Sequence, residues 1–277
     1  MSVSRLAALV VAALAFAGAA RAADPCEPCT VPGGSYHVAV PPDWNGTAPL
    51  RLLLFLHGWQ GKGTDITGDP HIAGVAGSLG FLLVAPDGAV KSWGHVGSPH
   101  RVRDDVAFLL SVVADAERRW PIDRHAVVAG GFSQGGSMVW DLACYAAPHF
   151  TAFIPFSGGF WDPLPAACRS GPVDLRHTHG THDSVVPMTG RALMGGLFHQ
   201  GDIRAGFSRW LAEDECPAEP DNVATKGDLT CSAWTTCASG HRVELCLQPG
   251  DHSMIQPWLD ASLRWAISGG GKLAAAP

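Results

Sequence analysis

The chain has 277 residues, 47% of them hydrophobic and 16% charged, enough for one large core and too apolar for a disordered chain. A formal net charge of −6 offers no basic face for nucleic acid or anionic lipid, so neither is expected as a partner.

At the N-terminus Arg5 precedes an apolar run from Leu6 to Ala20, closed by Ala20-Arg21-Ala22. This pattern predicts a cleaved signal peptide over residues 1–22 and a secreted or periplasmic mature chain. The run falls short of the roughly 20 residues that span a bilayer, and no later stretch is longer, so no membrane anchor is expected. Eight cysteines follow, an even number that in an exported chain predicts disulfides. Cys26 and Cys29 sit among prolines, not at a strand end before a helix, which favours a structural bridge over a redox or zinc motif. Closeness in sequence suggests Cys144 with Cys168, and two bridges among Cys216, Cys231, Cys237 and Cys246.

Short apolar runs at Leu50–Leu56, Phe81–Ala85, Ala126–Ala129, Phe153–Phe156, Val173–Thr178 and Val243–Leu247 each read as strands buried on both faces. Helical patterns lie between them. The clearest runs from Arg101 to Trp120, with Val102, Val106, Leu109, Val113 and Ala116 on one stripe. Asp104 and Asp105 suit its first turn, Arg118 and Arg119 its last, and Pro121 ends it. A second helix is expected from Gly136 through Tyr145. Strand and helix in alternation predict an α/β fold with a mainly parallel central sheet and helices on both faces. One domain is expected over residues 23–267, followed by a flexible Gly/Ala tail at 268–277.

Gly131-Phe132-Ser133-Gln134-Gly135 falls between the strand AVVAG and the second helix, where a tight turn would present Ser133 and bulky neighbours would clash. A serine hydroxyl needs a base to take its proton and an acid to hold that base in one tautomer. The run into HGTHDSVVP places Asp183 past a later strand, and the run into QPGDHSMIQPW places His252 past the last one. Asp162, Asp174 and Asp251 are poorer acids by context, as His199 and His241 are poorer bases. The backbone N–H groups of Gln134 and of Trp59, with Gln60 as the next choice, would stabilise the oxyanion; His57 reads as a structural residue of the His-Gly turn. His177, His179 and His182 could be read as metal ligands, but no further ligand cluster supports that, and no metal or other cofactor is expected. The short segment Ser157 to Pro172 leaves little room for a lid, and Trp93 and Trp161 are expected as apolar walls of an open cleft.

The motifs LLLFLHGWQG, VAPDG, DDVAFL, GGFSQGG, HTHGTHDSVVP and PGDHSM cover most of the mature chain. Together they resemble the α/β-hydrolase superfamily, and within it the secreted polyhydroxybutyrate depolymerase-like and feruloyl esterase-like esterases. The resemblance implies the same triad, Ser133, Asp183 and His252, the same oxyanion donors at Trp59 and Gln134, and an ester substrate, polyester, aryl or acetyl. The chain departs from the family at Trp59, where many relatives carry cysteine, in Phe132-Ser133-Gln134, and after His252, where Ser253-Met254-Ile255 replaces Trp-Pro. Other readings are a peptidase of the same fold, a noncatalytic binding protein, and a thiol oxidoreductase built on Cys26 and Cys29. Nothing in the sequence sets an oligomeric state.

Overall fold

The computed structural model of the protein describes residues 26–96, 98 and 101–269. The leader at 1–22 lies outside the described residues, as does the tail beyond Gly269. In chain order the strands are β1 (Cys29–Val31), β2 (Gly34–Ala39), β3 (Leu50–Leu56), β4 (Phe81–Pro86), β5 (Ile122–Phe132), β6 (Ala152–Phe156), β7 (Leu175–Gly180), β8 (Arg191–Leu193), β9 (Phe198–Gln200), β10 (Asn222–Lys226), β11 (Leu229–Trp234) and β12 (Val243–Gln248). The helices are α1 (Gly63–Thr67), α2 (Pro70–Ser78), α3 (Asp105–Arg119), α4 (Gln134–Ala146), α5 (Ile203–Glu213) and α6 (Gln256–Ser268).

Ten strands form one sheet in the order β1-β2-β4-β3-β5-β6-β7-β12-β11-β10. The six central strands, β4 to β12 in that order, run parallel, and the outer pairs are antiparallel. The parallel strands are apolar because helices cover both faces. Leu52, Leu54 and Leu56 of β3 pack with α3, α4 and α5 on one face, while Leu53 and Phe55 pack with α2 and α6 on the other. Each fully buried leucine of this kind contributes about 1.5–3 kcal/mol.

The expected elements are present, with shifted ends. Helix α3 starts at Asp105, not at Arg101, because the Asp104 carboxylate accepts the Ala107 N–H and acts as its N-cap; Val102 is left 69% exposed. Arg118 and Arg119 do more than face the helix dipole: both bind Asp115, which also accepts the Tyr36 hydroxyl and so fastens α3 to β2. Strand β7 starts two residues later than Val173. The Val173 N–H is taken by the Asp214 carboxylate, and Asp174 turns its own carboxylate to His241 and Arg242. The segment between Ser157 and Pro172 has no helix or strand, and the inserted unit is instead the β8–β9 hairpin beyond Asp183, to which Trp161 is joined by a bridge at Gln200. The four disulfides are Cys26–Cys29, Cys144–Cys168, Cys216–Cys237 and Cys231–Cys246.

Candidate active site

The carboxyl ends of β3, β5, β7 and β12 carry the loops of interest, and in a parallel α/β sheet that edge is where ligands bind. At the end of β5, Ser133 has φ 60° and ψ −122°, a backbone conformation costing about 1–3 kcal/mol for a residue with a side chain. Its N–H is anchored by Phe156 O at 2.9 Å. The two flanking glycines are required by close approach. A Cβ on Gly131 would lie 2.6 Å from Gly135 O, and one on Gly135 would lie 2.1 Å from Leu56 O. The turn is therefore wedged between its own helix and the end of β3.

Asp183 follows β7 and is buried. One carboxylate oxygen accepts the N–H groups of Val185 and Val186 at 2.9 and 2.7 Å; the other accepts His252 Nδ1–H at 2.7 Å. Burial alone would push this carboxyl up, but the hydrogen bonds it accepts from His252 and Val186 outweigh it and hold the group below its ordinary value. His252 thus keeps Nε2 as its free acceptor. Its ring packs at a tilt of 39° against Phe132, centroids 4.7 Å apart, beside Ser133 in the chain. Among the described residues the Ser133 hydroxyl makes no hydrogen bond; such bonds are commonly long in free enzymes and tighten on substrate.

A second contact joins the acid and base loops and has no signature in sequence. The Asp251 carboxylate accepts the Ser184 N–H at 2.7 Å, the Ser184 hydroxyl at 2.9 Å and the His252 N–H at 2.7 Å. Each loop therefore supplies a carboxylate to the other, Asp183 to His252 and Asp251 to Ser184. Asp251 faces away from the role of acid for its neighbour's imidazole.

Among the described residues the backbone N–H groups of Trp59 and Gln134 have no hydrogen-bond partner, and Gln134 is the first residue of α4, where the helix dipole is positive. Gln60 does not fit the role of alternative donor, since its N–H is bonded to Lys91 O at 2.9 Å. His57 holds the turn: Nδ1–H donates to Gly58 O, Nε2 accepts the Gly88 N–H, and burial pushes its pKa down. Trp93 was expected on the cleft wall, but it is 3% exposed. It lies beneath this turn, its indole N–H donating to His57 O and its ring 4.8 Å from the imidazole. Trp59 is 70% exposed.

The histidine cluster divides. Trp140 Nε1–H donates to His177 Nδ1, His177 Nε2–H to His179 Nδ1, and His179 Nε2–H to Val186 O. Every ring nitrogen of this buried pair is occupied, and burial pushes both pKa values down, so they form a neutral chain bracing the Asp183 loop from below. His182 points elsewhere, to Pro249 O. The one group of metal-type side chains among the described residues is Cys231, Glu244 and Cys246, whose cysteines are joined to each other.

A phospholipase/carboxylesterase family model matches residues 104–199, a stretch that contains Ser133 and Asp183. A probable feruloyl esterase C of Aspergillus niger is 30% identical over 166 residues, covering 57% of this chain; the chain spans 58% of that relative's length. A bifunctional acetylxylan esterase/xylanase of Neocallimastix patriciarum is 25% identical over 249 residues, 86% of this chain and 34% of the relative. Among solved structures, an acetyl xylan esterase from Aspergillus awamori superposes with a TM-score of 0.63 at 15% identity, covering 84% of this chain and 94% of the other. A Bacillus cereus carboxylesterase superposes with a TM-score of 0.54 at 13% identity, covering 86% and 95%. The parallel sheet, the strained serine turn at the end of its fifth strand and these likenesses agree on an α/β-hydrolase fold, in a chain that is similar over part of its length to feruloyl and acetylxylan esterases.

Proposed function

We propose that the protein is an exported serine carboxylic-ester hydrolase working through an acyl-enzyme. The observation that carries this reading is the 2.7 Å bond from His252 to the buried Asp183, made beside the strained Ser133 turn. Ser133 Oγ attacks the ester carbonyl as His252 Nε2 takes its proton, and Asp183 stabilises the imidazolium that forms. The N–H groups of Trp59 and Gln134 hold the oxyanion. Collapse breaks the bond to the alcohol, which leaves with the proton from His252. Water then attacks the acyl-enzyme by the same route in reverse, releasing the acid and restoring Ser133.

The substrate class is an aryl ester of the feruloyl kind, favoured over a polyhydroxyalkanoate-type polyester by the feruloyl esterase relatives. An acetyl ester on xylan is the second reading, favoured by the acetylxylan esterase relative, which aligns along more of this chain. Export is supported by the leader pattern and by four disulfides in one domain. The test is labelling by a fluorophosphonate and turnover of p-nitrophenyl acetate, methyl ferulate, acetylated xylan and polyhydroxybutyrate. Ser133→Ala abolishes both label and turnover; a labelled or active Ser133→Ala protein refutes the mechanism.

A further inference from the structure

Beyond the triad, two buried polar atoms lack partners in one place. His95 is 3% exposed; its Nδ1–H donates to Asp141 at 2.9 Å, and its Nε2 has no hydrogen bond among the described residues. Stacked on it, with ring centroids 5.0 Å apart and planes 18° apart, is Trp161, whose indole N–H is also buried and unpaired. Phe198 of the β8–β9 hairpin packs edge-on against Trp161. Buried polar groups without partners are few in native proteins, and two on stacked rings need an explanation.

Their position relates them to the proposed active site. His95 lies on the loop after β4, Trp161 on the segment after β6 and Phe198 beyond β7, all past the carboxyl edge of the sheet. Both loops are tied to α4, the helix that Ser133 opens. Ser92 bonds the Gln134 side chain, Asp141 holds His95, and Ser137 Oγ accepts the Gly159 N–H. Asp141 is seven residues beyond Gln134, about 10 Å along the helix.

The chemistry of the pair is specific. With Nδ1–H committed to Asp141, His95 Nε2 is an acceptor, while Trp161 Nε1–H is a donor only. An acceptor beside a donor complements a group that both donates and accepts, and aromatic faces complement a flat or apolar body carrying it. We propose that His95 and Trp161 form a subsite for a hydroxyl group of the ester substrate, on its acyl or its alcohol side. This rests on the esterase reading above. The Trp161 side chain is half-buried, and its backbone is held by the bridge to Gln200.

Binding to a Ser133→Ala background tests the subsite without turnover. The acyl arm compares methyl ferulate with methyl 3,4-dimethoxycinnamate, which has its phenol methylated. The alcohol arm compares acetylated methyl xyloside with the same compound fully O-methylated at its free hydroxyls. The free hydroxyl is expected to bind about tenfold more tightly in one arm, the arm naming its source. Adding Trp161→Phe, which keeps the ring and removes the N–H, erases that preference; adding His95→Phe serves as the second variant. Equal affinity within both arms, or a preference that survives Trp161→Phe, overturns the proposal and leaves the two nitrogens to an ordered water. Fluorophosphonate labelling of the otherwise unaltered protein reports separately on Ser133, so failure of the esterase reading and failure of the subsite are distinguished.

Discussion

Asp183→Asn exchanges one atom and tests the tautomer logic directly. In the native protein one oxygen of Asp183 is pinned by two backbone donors, Val185 and Val186, at 2.9 and 2.7 Å. An asparagine must keep its carbonyl oxygen at that position, since turning the amide over would set its N–H₂ against two N–H groups. The N–H₂ then faces His252, and the imidazole answers by offering Nδ1 as an acceptor and carrying its proton on Nε2. An Nε2–H cannot take the Ser133 proton. In serine hydrolases of known mechanism this swap lowers kcat by about 10⁴, some 5 kcal/mol of transition-state stabilisation. The assay is kcat on p-nitrophenyl acetate, with thermal unfolding as the control for folding. A drop of less than tenfold, with a fold of normal stability, refutes the assignment of Asp183 as the orienting acid.

Asp251→Ala removes the crosslink to Ser184 but leaves the Asp183–His252 bond, so kcat should fall only about tenfold with KM little changed; a loss as large as that of Asp183→Asn would make Asp251 the acid. Gly135→Ala sets a methyl 2.1 Å from Leu56 O and 2.6 Å from His57 O, both backbone atoms, and should cost about 3 kcal/mol or more in urea unfolding; a silent substitution would contradict the packing of this turn. Asp214 has its pKa raised to about 7, first by burial, with one oxygen unpaired. A carboxyl with a raised folded pKa stabilises the fold below its unfolded value near 3.8 and loses that contribution as pH rises through about 7. Asp214→Asn should therefore flatten the decline in Tm between pH 4 and pH 8, gaining roughly 5 °C at the upper end; parallel Tm curves for the two proteins would exclude the effect.

The central strands were legible because burial on both faces leaves near-continuous apolar runs such as LRLLLFL, and the tight turn at Ser133 because Gly131 and Gly135 on either side of it have a single steric reason. The edge strands were not. Strand β10 is exposed along its length and β1 is three residues long, so neither carries an apolar pattern, and both exist through pairing with a neighbour. Trp93 shows the same limit from the other side. A tryptophan on a loop reads equally as cleft wall or as core, and only the indole bond to His57 O beneath the turn decides. Asp251 looked like a neighbour too close to help His252, and in the sequence it was; its partner, Ser184, is 67 positions away.

The order of serine, acid and histidine past successive strands is a one-dimensional fact, because each strand delivers its own next residue to the same edge of the sheet. Which side-chain atoms then meet, Asp183 with Nδ1 of His252, Asp251 with Ser184, His95 under Trp161, depends on how the loops fold back across that edge. Those contacts bring together residues tens of positions apart, and local propensity carries no information about them.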